Sequence, residues 1–163
     1  MSSVLDQKSL FTYDHSVYWP KKYERVVEYL KNGTSDIVNS QSFYKFNVEV
    51  IVLAACIGLR EDYAIDLPSE TNEINLSTFN GQNLGIYLYL VPMLSQTEPD
   101  VDFFRNKEGE TRAISTFERY AAGGLELLND KLVTRSLDSP YLFTQDLIAN
   151  RQDGIRDLDI DIF

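Results

Sequence analysis

Two adjacent glycines, Gly123 and Gly124, stand in the middle of the stretch STFERYAAGGLELLNDKL, Ser115 to Leu132. The apolar positions Ile114, Phe117, Ala121, Gly124, Leu125, Leu128 and Leu132 fall on one helical stripe, so the stretch reads as an amphipathic helix. Inside a helix each glycine costs about 1 kcal/mol relative to alanine. Gly124 lies within the stripe and Gly123 flanks it, while Ala121 and Ala122 widen the same side-chain-free notch. Close approach of another backbone is the expectation, since packing contacts would then offset the lost propensity. A kink, or two helices broken at the glycines, is the competing reading. Gly123, Gly124, Ala121 and Arg119 are the candidate interaction or packing residues of this segment.

A second segment, FNVEVIVLAACIGL, is too long for one strand, and its Ala54-Ala55-Cys56 centre favours a helix buried nearly all round. Before it, WPKKYERVVEYLKNG places Pro20 at a first helical position and Tyr23, Val26, Val27 and Leu30 on one stripe. A third helix is expected over FNGQNLGIYLYLVPML, with Asn80 as its N-cap and Leu84, Tyr87, Leu88, Val91 and Leu94 on one face. Residues 95–111, rich in charge with Pro99 and Gly109, read as a mobile connection with room for a short amphipathic turn. Ser139 and Pro140 open a further helix over LDSPYLFTQDLIANR. The alternation of Ile65 with Leu67 and of Ile74 with Leu76 leaves open a two-stranded ribbon or an extended loop.

The expected fold is therefore mainly α: a single domain over residues 1–163, a bundle of about five or six helices around a buried central helix, with room for one short β ribbon. A chain of 163 residues buries roughly 70% of its unfolded surface and needs neither disulfides nor metals to hold it. A polar lead over 1–18 and an acidic tail over 153–163 flank the bundle as candidate flexible segments. The tail ends RDLDIDIF, where Leu158, Ile160 and Ile162 alternate with Asp157, Asp159 and Asp161, a pattern suited to a sheet edge on this chain or a partner. The same aspartates begin like a calcium loop but lack its glycine and glutamate.

Charge and chemistry restrict function more than they specify it. Fifteen Lys and Arg against 25 Asp and Glu give a net charge of -10, which opposes non-specific attraction to phosphate backbones and anionic membranes. The lone Cys56, in an apolar run, and an N-terminus without signal-peptide features lead us to expect a cytoplasmic protein. His15 is the only histidine, so two-histidine metal sites are excluded and a nucleophile-histidine assembly would rest on one residue of the polar lead. There is no GxGxxG and no Walker lysine motif. We assign no catalytic residues, no cofactor and no metal. Lys21, Lys22, Arg25 and Lys31 form the local basic cluster, and the first three are candidate phosphate contacts, against a solvated face salted with Glu24 and Glu28.

The blocks FNVEVIVLAACIGL, with the extended AIDLP after it, and ISTFERYAAGGLELL resemble the two best-marked blocks of the DNA phosphorothioation (Dnd) system-associated proteins, of the associated protein 4 type. The resemblance spans roughly residues 43–132. Its second block has a Phe-Glu-x-Tyr-Ala-x-Gly-Gly-Leu pattern, matched by Phe117, Glu118, Tyr120, Ala121, Gly123, Gly124 and Leu125. The region VLAACIGL to YLYLVPML is also similar to the helical DNA sulphur-modification protein E, although acidic REDYAIDLPSE stands where such proteins are more basic. These resemblances imply an accessory or adaptor in a bacterial modification or phage-defence system. Its partners would be other proteins of that system, with no membrane, and a homo-oligomer remains open. The competing readings are a DNA-binding module for nicked or modified duplex and an enzyme without a recognisable motif.

Overall fold

The computed structural model describes residues 10–32, 44–98 and 101–134. Strand β1 (Ser16–Pro20) passes through a 3-10 turn, Lys21–Tyr23, into helix α1 (Glu24–Asn32). Helix α2 (Asn47–Arg60), strand β2 (Thr71–Asn75), helix α3 (Leu76–Gly81) and helix α4 (Tyr87–Leu94) follow. A second 3-10 turn, Val101–Phe104, leads into α5 (Lys107–Asn129), which closes in a π turn over Asp130–Thr134. The fold is mainly helical with one two-stranded antiparallel sheet among the described residues. The helix expected after Ser139 and the tail over 153–163 lie outside the described residues.

The central helix is α2, which buries Val48, Val50, Ile51, Val52, Ala54, Ala55, Ile57 and Gly58. A helix covered on so many sides has little net amphipathicity, which is why its sequence is apolar almost throughout. Apart from Asn47 and Arg60 at its ends, Glu49 is the exception, and its carboxylate accepts the backbone N–H groups of Phe46 and Lys45 at the helix N-terminus. Helix α5 packs antiparallel along α2, and the stripe from Ile114 to Leu132 is buried. It is one continuous rod through Gly123 and Gly124, unbroken at the glycines.

Four details depart from the sequence expectations. The ribbon does not form within 65–76: β2 pairs with β1, with Val17 opposite Ile74 and Trp19 opposite Asn72. Val17 and Trp19 are buried, so the chain before Pro20 holds part of the core and stays extended. Pro20 therefore ends a strand instead of starting a helix. Its missing N–H costs no ladder bond, because the hydrogen-bonded positions are its neighbours Trp19 and Lys21, whose N–H reaches the Glu70 carbonyl.

Asn80 lies inside α3 and caps nothing; α4 begins only after Ile86. Residues 101–111 form the 3-10 turn and the first part of α5, so the connection is shorter than expected. Gly109 sits in that first turn because a side chain there would collide with the Asp102 carbonyl, within 2.7 Å of its carbon. Asn106 caps α5 by accepting the Gly109 N–H at 2.7 Å.

Candidate functional site

The residues of the Phe117–Leu125 pattern each have a structural neighbour. Phe117 is fully buried, edge-on to Phe79 at 6.0 Å. Glu118 reaches outward and accepts the Tyr18 N–H of β1 at 2.7 Å. That bond occupies an outer-edge donor of β1, on the side away from β2. Burial pushes the Glu118 carboxyl up to about 7, against the opposing effect of the Tyr18 hydrogen bond. Arg119 accepts the Ile65 N–H with its carbonyl and places Nε 2.9 Å from Asp66 Oδ1 on the surface.

The next turn is where the backbones close. A Cβ on Gly124 would lie 2.9 Å from Ala54 Cα and nearer still to the Ala54 carbonyl. One on Gly123 would lie 2.8 Å from the Tyr63 carbonyl carbon. On the opposing helix, a Cβ on Gly58 would lie 2.9 Å from the Tyr120 carbonyl carbon. Ala121 and Leu125 are fully buried beside them. This face of α5 is covered by α2 and by the Tyr63 segment of the same chain.

The Tyr63 segment is fastened at both ends. Its N–H donates to the Gly58 carbonyl at 2.8 Å, and its hydroxyl donates to Glu126. Glu126 also accepts the Tyr23 hydroxyl at 3.1 Å. The hydrogen bond to Glu126 raises the Tyr63 phenol, whereas burial, reinforced by the Glu126 charge, raises that of Tyr23.

A second polar node lies near the other end of α5. Glu110, 2% exposed, accepts the N–H groups of Thr12 at 2.7 Å and Tyr13 at 3.1 Å, and His15 Nε2 lies 2.8 Å from Oε2, the oxygen that Tyr13 also meets. A buried carboxylate needs such partners, and its place near the start of the helix adds favourable dipole alignment. Tyr89 packs between Phe11 at 4.2 Å and Phe104 at 4.5 Å; burial and the Glu110 charge push its phenol up to about 12. The lone histidine thus secures the chain before β1 to α5. Nothing in KEGET announces this, because the donors come from almost a hundred residues earlier.

The structure separates the remaining candidates. Cys56 is half-buried and its thiol is raised by burial, away from the nucleophilic thiolate. Lys21, Lys22 and Arg25 are exposed on the turn and first part of α1, with Lys22 Nζ 4.8 Å from the Tyr23 ring centre. Lys31 leaves that group to donate to Asn47 Oδ1 at 2.6 Å. No cluster of three or more His, Cys, Asp or Glu able to hold a metal occurs among the described residues.

One surface carries no signal in the sequence. Ile86, Leu90 and Leu94, at positions i, i+4 and i+8, are 43%, 39% and 70% exposed along the outer side of α4. The neighbouring 3-10 turn exposes Val101 and Phe104. Helix α4, YLYLVPML, contains no charged residue. Its uniform hydrophobicity does not say which face turns outward, and Leu94, expected to face inward with Leu88 and Val91, faces solvent instead.

The family model for DNA sulphur modification system-associated protein 4 matches residues 17–161. No curated protein and no solved structure matches the chain. No helix among the described residues is long and apolar enough to cross a membrane.

Proposed function

Because the chain belongs to the DNA sulphur modification system-associated protein 4 family, we propose that it is an accessory or adaptor protein of a bacterial phosphorothioation-linked modification or restriction system, acting by protein contact. The observation that supports this reading is the exposed stripe of Leu90 and Leu94 on α4 and of Ile86 at its N-cap. A stripe of large apolar side chains on a charge-free helix is costly in water unless something covers it. Covering by a second copy would bring together two chains of net charge -10. A different protein, apolar at the centre of its contact and basic around it, fits better. The Gly123-Gly124 notch is already filled by this chain, so the contact is assigned to α4.

The test is pairwise binding to each purified protein encoded with the modification genes. Leu90→Glu combined with Leu94→Glu, both at exposed positions, is expected to leave the unfolding midpoint unchanged and to weaken one such complex at least tenfold. Unaltered binding to every one of them would remove the α4 surface from the account.

A further inference from the structure

Three glutamates stand eight residues apart along α5, and the chain before α1 meets them in order. Glu110 accepts the Thr12 and Tyr13 N–H groups and faces His15, Glu118 accepts the Tyr18 N–H, and Glu126 accepts the Tyr23 hydroxyl. The run from Thr12 to Tyr23 is therefore fastened along one helix at three carboxyl groups. The fastenings at its two ends gather several partners each, since Glu126 also accepts the Tyr63 hydroxyl. The middle one has, among the described residues, the Tyr18 N–H for its donor, at 2.7 Å.

A partly buried carboxylate with one neutral donor loses more hydration than it regains, so it holds its proton. Burial accordingly raises Glu118 to about 7, while the Tyr18 hydrogen bond pulls the other way. The charged groups around it do not relieve this. Arg119 on the same helix is paired at 2.9 Å with Asp66 of the segment packed on α5, and Glu73 of β2, opposite Tyr18, adds negative charge. Ionisation strengthens the bond from the Tyr18 N–H, yet one amide replaces little of the hydration that the charged group gains by turning outward. We propose that Glu118 is a proton-controlled latch on β1: protonated, it stays against the strand and holds the Tyr18 N–H; ionised, it turns into water and lets that N–H go, while Glu110 and Glu126 keep the run on α5. The change falls near neutral pH and needs no unfolding. The freed N–H is an unpaired strand-edge donor, so one carboxyl proton sets whether β1 presents it. The inference does not depend on the adaptor reading.

The experiment is NMR on the full chain from about pH 5.5 to 8.5, following amide protection factors, corrected for the intrinsic pH dependence of exchange, at Tyr18 with Thr12 and Tyr13 as references. Tyr18 protection is expected to fall at least about tenfold as pH rises through about 7, with Thr12 and Tyr13 unchanged. Glu118→Gln, which accepts the same N–H and cannot ionise, is expected to keep Tyr18 protected across the range. Tyr18 protection that is constant with pH in the parent, or that falls equally in Glu118→Gln, overturns the proposal. Loss of protection at Thr12 and Tyr13 together with Tyr18 also overturns it, because the whole run would then be leaving α5.

Discussion

Gly124 on α5 and Ala54 on α2 meet backbone to backbone, with space for no atom beyond hydrogen between them. Four residues away the relationship is reversed: Gly58 of α2 receives the carbonyl of Tyr120 of α5. Each helix therefore supplies one glycine to the other's backbone, and the pair of notches fixes both the separation and the register of the antiparallel rods. Gly123 extends the same device to the Tyr63 segment. Lost helix propensity is local, whereas the close packing it permits runs along the whole α2–α5 interface, and this asymmetry explains why the glycines are tolerated.

Removing the carboxylate of Glu110 should be costly. Glu110→Ala leaves the Thr12 and Tyr13 N–H groups and His15 without their acceptor at a part-buried node. A loss of about 2–4 kcal/mol in urea unfolding is expected, with the Thr12 and Tyr13 amides losing exchange protection. Glu110→Gln, which retains one acceptor oxygen, should lose less. Equal stability of all three proteins would show that the node holds nothing together.

Glu118 should leave a mark on the pH profile of stability. Its folded carboxyl titrates at about 7, above the ordinary 4.5, so the folded chain binds this proton more tightly than the unfolded chain. The stability it contributes is therefore complete below about pH 4.5 and is lost as pH rises toward 7. Glu118→Gln keeps an acceptor for the Tyr18 N–H and removes the titration. Relative to the parent, the variant is expected to gain stability between about pH 4.5 and 7 and to hold a constant difference above that. Parallel profiles across this window would contradict the assignment.

The exposed basic turn gives a prediction about nucleic acid. Lys21→Ala, Lys22→Ala and Arg25→Ala combined should change stability by no more than about 0.5 kcal/mol per site, as expected for exposed positions. On the adaptor reading, neither parent nor variant binds nicked or phosphorothioated duplex at low salt. Binding by the parent that falls steeply with salt and disappears in the variant would favour the DNA-binding alternative.

What can be read from the sequence follows from how far apart the cooperating residues lie. Helix α2 and the buried stripe of α5 are legible because hydrophobic period and length are local signals. The true start of α5 is hidden because Gly109 looks like a loop residue, and only the Asp102 carbonyl behind it explains a glycine there. The pairing of Ser16–Pro20 with Thr71–Asn75 joins segments more than fifty residues apart, and nothing in either names the other. Glu110, Glu118 and Glu126 look like solvated acids on a helix, yet each accepts hydrogen bonds from far along the chain. The α4 surface is hidden for the opposite reason: a helix that is apolar all round gives no preference for the face it exposes.

The reciprocal glycine contact is tested most directly by comparing Gly124→Ala with Gly81→Ala in urea unfolding. Helix propensity alone would have both gain up to about 1 kcal/mol. A methyl group at Gly81 meets nothing within 4 Å, whereas one at Gly124 strikes the Ala54 backbone. The account predicts that Gly81→Ala is neutral or stabilising and that Gly124→Ala is destabilised by about 2 kcal/mol or more, because two packed backbones must separate. A Gly124→Ala protein as stable as the parent, or more so, would contradict it.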